Sequence, residues 1–223
     1  MVALMILGAV GLAGWTWVQD HPEHNPNAPL DLRDPPGWAT AAKLREARQD
    51  ASICRAVLER SAVAFEALPE QGEGACYRPD RLQLGDQPLT PNTPPTTCPV
   101  ALGMERWVSQ ANEIAKTELG SGIASIRHLG AYNCRRLYGR SEGAWSEHAT
   151  GNAIDIAGFE LDDGTAISVL ADWDGDPAKA EFLRQVRDAA CEDFATVLSP
   201  DYNAAHRDHF HLDQAPRWGG VCR

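Results

Sequence analysis

At 223 residues and 43% apolar composition, the chain is long enough to bury one sizeable core, with or without a small appendage. Acidic side chains outnumber basic ones 31 to 20, giving a formal charge of -11. That balance excludes nucleic acid as a partner and provides no polybasic surface for anionic lipid.

The chain opens on an uncharged, mostly apolar run from Val2 to Val18, ended by Asp20. Its length suits a bilayer span, and Trp15 and Trp17 fall where aromatic residues favour the membrane interface. An uncleaved anchor is the favoured reading over a cleaved signal, and either one exports the rest of the chain; a buried core segment is the remaining alternative. His21 to Pro36 carries five prolines and reads as an extended tether, with His21 and His24 solvated. Residues 39–68 are rich in Ala, Leu, Arg and Glu and predict one or two helices. Pro69 to Pro99, with seven prolines, reads as loop with one short strand at Arg81–Leu84. Within it, Pro88 to Pro95 is a connecting loop ahead of any polyproline ligand.

A helix is expected from Pro99 to Leu119, with Pro suited to the first position and Gly120 just past the end. Strands follow at Ile123–Tyr132, Ala153–Leu161 and Thr165–Leu170, then a helix at Pro177–Phe194 and a strand at Asp208–Asp213. Asp172-Trp173-Asp174-Gly175-Asp176 lacks the Gly and Glu of a calcium loop and reads as an acidic turn before a helix. The fold class is α+β, a small mainly antiparallel sheet flanked by helices. The expected organisation is an anchor or signal at 1–19, a tether at 20–38, a helical and loop extension at 39–98, and a core domain at 99–223.

The six cysteines, at 54, 76, 98, 134, 191 and 222, contain no C-x-x-C pair and are widely spread. That pattern suits disulfides in an oxidising compartment. Sequence proximity alone pairs Cys54 with Cys76, Cys98 with Cys134, and Cys191 with Cys222.

Two segments carry the chemistry. Ser146 to Asp155 places His148 and Asp155 seven apart, and His206-Arg207-Asp208-His209-Phe210-His211 adds a histidine cluster. Alternate strand residues face opposite sides, so Ile154 and Ile156 turn Asp155 away from the core. Phe210 and Leu212 do the same for His209 and His211. Two such strands present polar groups to a shared cleft. His148, Asp155 and His211 are the candidate ligands of one divalent metal, with Gly151 and Ala153 leaving room beside them. Zinc fits two imidazoles and a carboxylate, although copper or nickel can bind the same groups. Asp208, His209 and His206 are candidate bases. Arg135 or Arg136 can hold a substrate carbonyl or terminal carboxylate, with a structural ion pair as the alternative. Glu147 is a candidate orienter of His148, with a solvated side chain as the alternative.

The segments 34–40 (Asp-Pro-Pro-Gly-Trp-Ala-Thr), Tyr132-Asn133-Cys134-Arg135, Ser146 to Asp155 and Cys222-Arg223 resemble the bacterial extensin-like C-terminal domain family, over about 22–223. More distantly, Ser-x-His-x-x-Gly-x-Ala-x-Asp at 146–155 resembles the first zinc motif of the LAS metallopeptidases, and His209-Phe210-His211 the His-x-His of their murein endopeptidase branch. That resemblance implies His148, Asp155 and His211 as ligands and His209 as catalytic. The carboxypeptidase branch has Glu where this chain has Asp208. The implied function is a periplasmic zinc peptidase acting on peptidoglycan peptides and held at the inner membrane by the N-terminal segment. The alternatives are a non-catalytic zinc-containing module that binds the cell wall, and a structural envelope protein.

Overall fold

The computed structural model describes residues 1–216 and 220–223. It separates into two units, Met1–Val63 and Ala64–Arg223.

The first unit begins with α1 (Val2–Asp20), 19 residues with no side chain buried and a mean hydropathy of 1.6. At 1.5 Å per residue it is about 28 Å long, close to the thickness of a bilayer's hydrocarbon core. Two helices follow, α2 (Thr40–Gln49) and α3 (Ala51–Arg60). Asp50 separates them and caps α3, its carboxylate accepting from the amides of Ser52 and Ile53. Residues 21–38 differ from the extended, solvated tether expected of them. Lys43 Nζ donates to Pro22 O at 2.7 Å, Arg60 Nη1 to Leu30 O at 3.0 Å, and Leu32 N to Ser61 Oγ at 2.9 Å. Asn25 and Leu30 are buried. Prolines fix the turns, and side chains of α2, α3 and Ser61 satisfy the carbonyls and amides that water would otherwise take. His24 is packed between Trp17 and Trp38, with ring centroids 5.1 and 5.9 Å away, and His21 stacks on Trp17 at 4.4 Å.

The second unit is α+β. Its main sheet is built from β3 (Leu89–Thr90), β4 (Ile123–Gly130), β5 (Ala153–Leu161), β6 (Ala166–Ser168), β7 (Thr196–Leu198), β8 (Phe210–Asp213) and β9 (Val221–Cys222). The order is β3-β4-β5-β8-β7-β9, with β6 also on β5. The β3–β4 and β7–β9 pairs are parallel and the rest antiparallel. A separate two-stranded ribbon joins β1 (Phe65–Ala67) to β2 (Leu82–Leu84).

Helices α4 (Cys98–Leu119) and α6 (Pro177–Asp193) pack on each other and on the sheet. Trp107 Nε1 donates to Val186 O at 2.8 Å, and Arg106 pairs with the fully buried Asp193 at 2.6 Å. Phe159 of β5 meets Trp107 at 6.0 Å and Phe182 edge-on at 5.1 Å. Opposite Arg127 and His128, β5 carries the extra residue Ala157. This bulge moves the buried set from Ile154 and Ile156 to Phe159 and Leu161.

Several elements are shorter than expected. The strand at 166–168 gives way to one helical turn, α5 (Val169–Asp172), and the last strand begins at Phe210. The acidic turn serves the helices: Asp176 caps α6 by accepting from Ala178 N and Lys179 N, and Asp172 accepts from Ser168 N. All six cysteines are in disulfides. Cys191–Cys222 forms as expected, but Cys76 pairs with Cys134 across 58 residues of sequence. That bond overturns both Cys54–Cys76 and Cys98–Cys134. The short turn Gly74–Cys76 packs against the turn that carries His148, so spatial proximity overrides sequence proximity. The exposed apolar helix α1 and the disulfides together point to a location outside the cytoplasm.

Candidate metal centre

Asp155 and His211 are direct cross-strand partners in the β5–β8 pair, between Ile154↔Leu212 on one side and Ile156↔Phe210 on the other. Those four apolar residues are all fully buried, so strand alternation turns Asp155 and His211 to the opposite face. His148 arrives from outside the sheet, on the one-turn helix Glu147–Thr150. Ser146 Oγ accepts from His148 N, and Gly151 closes the turn in the left-handed region at φ 72°. Glycine at 151 therefore serves the backbone turn, not the spacing of a substrate.

The three side chains converge. His148 Nε2 lies 3.1 Å from Asp155 Oδ1 and 3.1 Å from His211 Nδ1, and His211 Nδ1 lies 2.9 Å from Asp155 Oδ1. Their outer atoms fix the tautomers. His148 Nδ1 donates to Ala131 O at 3.2 Å, and His211 Nε2 donates to Asp213 Oδ2 at 3.0 Å. Each ring thus keeps a proton on its outer nitrogen and turns the other nitrogen inward, where its lone pair would be free for a metal. Three Lewis bases aimed at one point, each imidazole held from behind by an oxygen, match the donor set and outer support of a metal centre. Ligand atoms bonded tetrahedrally at about 2.0–2.1 Å stand about 3.3 Å apart, close to the spacings here. These residues therefore fit a zinc-sized divalent ion, and His148 is nearly inaccessible while Asp155 and His211 are partly open.

The electrostatics agree. Burial alone would lower His211, but the carboxylates of Asp155 and Asp213 outweigh it and push its pKa up to about 9. Burial would raise Asp155, but its bonds to His148 and His211 hold it well below the usual carboxylate range. The pocket favours positive charge at its centre, carried by a proton on His211 when no metal is bound.

The other expected residues fall around this group. His209 Nε2 is 3.7 Å from Asp155 Oδ1, and its Nδ1 donates to Asp208 Oδ1 at 2.8 Å. The bond to His209 lowers the Asp208 pKa, and Asp208 holds His209 with the Nε2 lone pair toward the centre. His206 donates from Nδ1 to Asn203 Oδ1 at 2.9 Å, with its ring 5.3 Å from His209 and 5.9 Å from His211. Burial and the two neighbouring histidines depress it to about 4, so it is neutral at pH 7. Arg136 is committed elsewhere, bonded to Gly143 O and lying 4.5 Å over the Trp145 ring. Arg135 is exposed, and among the described residues its guanidinium has no hydrogen bond or ion pair.

Glu147 does not orient His148. Its carboxylate accepts from Asn152 Nδ2 at 2.7 Å and ties the ligand turn to the start of β5. The orienting groups that sequence reasoning missed are Ala131 O and Asp213. Asp213 shares the period-two face of His209 and His211, a signal present in the sequence. A backbone carbonyl leaves no such signal.

Residues 52–223, more than half of the chain and the whole of this centre, match the family model described as extensin-like protein C-terminus. No curated protein and no solved structure matches the chain. The chain belongs to the extensin-like protein C-terminus family.

Proposed function

We propose that this protein is a zinc-dependent peptidase of the periplasm, held at the inner membrane by α1, that hydrolyses stem or cross-link peptides of peptidoglycan. The observation that carries the reading is the pair of imidazoles, each held from behind by an oxygen, whose inner nitrogens meet the Asp155 carboxylate. The likeness of 146–155 and His209-x-His211 to LAS metallopeptidase motifs supports the choice of reaction and substrate. Bound zinc would supply a Lewis acid and a water with its pKa brought to about 7. His209, with Nδ1 spent on Asp208, offers Nε2 as proton acceptor beside Asp155. Asp208 then acts as a positioning residue for His209. The unpaired guanidinium of Arg135, on the segment leading to His148, steadies the carbonyl oxygen as charge develops on it.

The test is zinc content and muropeptide cleavage by the full chain in detergent, with and without chelator. Cleavage that disappears with chelator and returns with zinc is expected. A protein that binds zinc and cell-wall fragments but cleaves none would make it a binding module instead.

A further inference from the structure

Large exposed apolar side chains are unevenly placed. Beyond Trp38 the described residues include eight, and five of them, Leu129, Tyr132, Leu137, Tyr138 and Trp145, lie within 129–145. A sixth, Tyr202, sits on the turn that carries Asn203 and His206 and meets the His206 ring edge-on at 5.5 Å. The same stretch concentrates positive charge. Residues 129–145 hold three arginines, Arg135, Arg136 and Arg140, against one acidic residue, Glu142, in a chain whose net charge is -11. Tyr, Trp and Arg together are what recognition surfaces concentrate.

This stretch is a hairpin tied to the metal centre at both ends. Cys134 is bonded to Cys76, Arg136 and Trp145 form a bridge, and Ser146 N donates to Arg135 O at 3.1 Å. At its root Asn133 N donates to the carbonyl of His148 at 3.0 Å. At its tip Tyr138 Oη accepts from Asn203 Nδ2 at 3.3 Å, and Asn203 also holds His206. The hairpin thus runs from the His148 side of the centre to the His206 side. Because the Tyr138 oxygen accepts that bond, its own O–H is unspent. Tyr138 also holds a left-handed backbone, φ 56°, which a tyrosine adopts only where its surroundings enforce it. Beside it Arg140 is exposed, 5.8 Å from the Tyr138 ring, and among the described residues its guanidinium has no hydrogen bond or ion pair.

We propose that this hairpin selects the substrate, and that it takes peptides bearing a free carboxylate, read by the Arg140 guanidinium and the Tyr138 hydroxyl. The inference rests on the peptidase reading for the identity of the ligand as a peptide. A guanidinium fork, 5.8 Å from the ring that carries the phenol, and the phenol's proton supply donors for the two oxygens of a carboxylate. In a chain of net charge -11, Arg135 and Arg140 are exposed and without an ion pair among the described residues, and they attract an acidic peptide to this hairpin.

The experiment compares a muropeptide stem carrying free carboxylates with the same stem fully amidated, titrated calorimetrically into the full chain in detergent, before and after zinc loading. The free acid is expected to bind about tenfold or more tightly than the amide, as for hydrogen bonds to a charged group. The double variant Y138F/R140A should lose that preference to within threefold; both side chains are exposed, and circular dichroism with zinc stoichiometry checks that the fold is kept. Equal binding of the two peptides by the parent, binding of neither, or a preference that survives in the variant overturns the inference. Cleavage is followed separately. A parent that prefers the acid but cleaves neither peptide fails the peptidase reading and leaves carboxylate selection standing.

Discussion

Asp213→Asn tests whether the outer carboxylate fixes the metal-binding tautomer of His211. Asp213 is almost wholly buried and uses both oxygens: Oδ2 accepts from His211 Nε2 at 3.0 Å, and Oδ1 accepts from Ala215 N at 2.9 Å. Asparagine has one oxygen. Leaving the buried Ala215 amide unpaired costs about 1–3 kcal/mol, so the oxygen stays there and the NH2 turns to His211. A donor at Nε2 moves the imidazole proton to Nδ1, where it points at His148 Nε2 and Asp155. Loss of such an outer partner typically weakens metal binding about 10- to 100-fold, or about 1.4–2.7 kcal/mol. The tautomer switch places D213N at the upper end of that range. Zinc affinity is read by competition with a chromogenic chelator at pH 7.5, with thermal unfolding as the control for folding. A folded D213N that binds zinc within threefold of the parent would refute the reasoning.

Three further outcomes follow. In the metal-free protein His211 has its pKa raised to about 9 from an unfolded value near 6.5, so the stabilisation it contributes is complete below pH 6.5 and lost as pH rises through 9. The difference is about 3 kcal/mol in denaturant unfolding at pH 6 against pH 9.5 with chelator present, and a flat or rising profile would contradict it. Zinc affinity moves the opposite way, climbing about tenfold per pH unit between 6.5 and 9 as the metal displaces that proton, measurable from buffer-dependent heats of binding. His209→Ala should keep zinc yet lower kcat by about 10²–10⁴-fold on muropeptides, whereas lost zinc would make it a ligand. Replacing Cys76 and Cys134 by Ser removes a link across 58 residues and should lower unfolding free energy by about 4 kcal/mol, read by urea titration under non-reducing conditions.

Where a long element has a repeating pattern, the sequence shows it. Ala153–Leu161 appears with both ends as expected, and α4 and α6 begin or end within one residue of expectation. Strands β3, β7 and β9 are two or three residues long, too short for any period to emerge. Two of the three candidate ligands, Asp155 and His211, are legible because alternation with Ile154, Ile156, Phe210 and Leu212 gives each a direction, whereas His148 lies on a one-turn helix outside that pattern. Glu147 was misread because adjacency to His148 in sequence says nothing of direction on a one-turn helix; its carboxylate reaches Asn152 instead. The Cys76–Cys134 bond depends on where the hairpin returns in space, which no linear spacing records.

Because Asp155 and His211 stand directly across from one another between two fully buried apolar pairs, a single alignment of two strands decides both core and chemistry. Sliding one strand by a single residue would drive an imidazole among aliphatic side chains and leave Leu212 in water. A misaligned chain could not bring the three side chains together, whereas an aligned one has already placed two of them. Assembly of this three-residue group therefore reports that the two strands have folded in register.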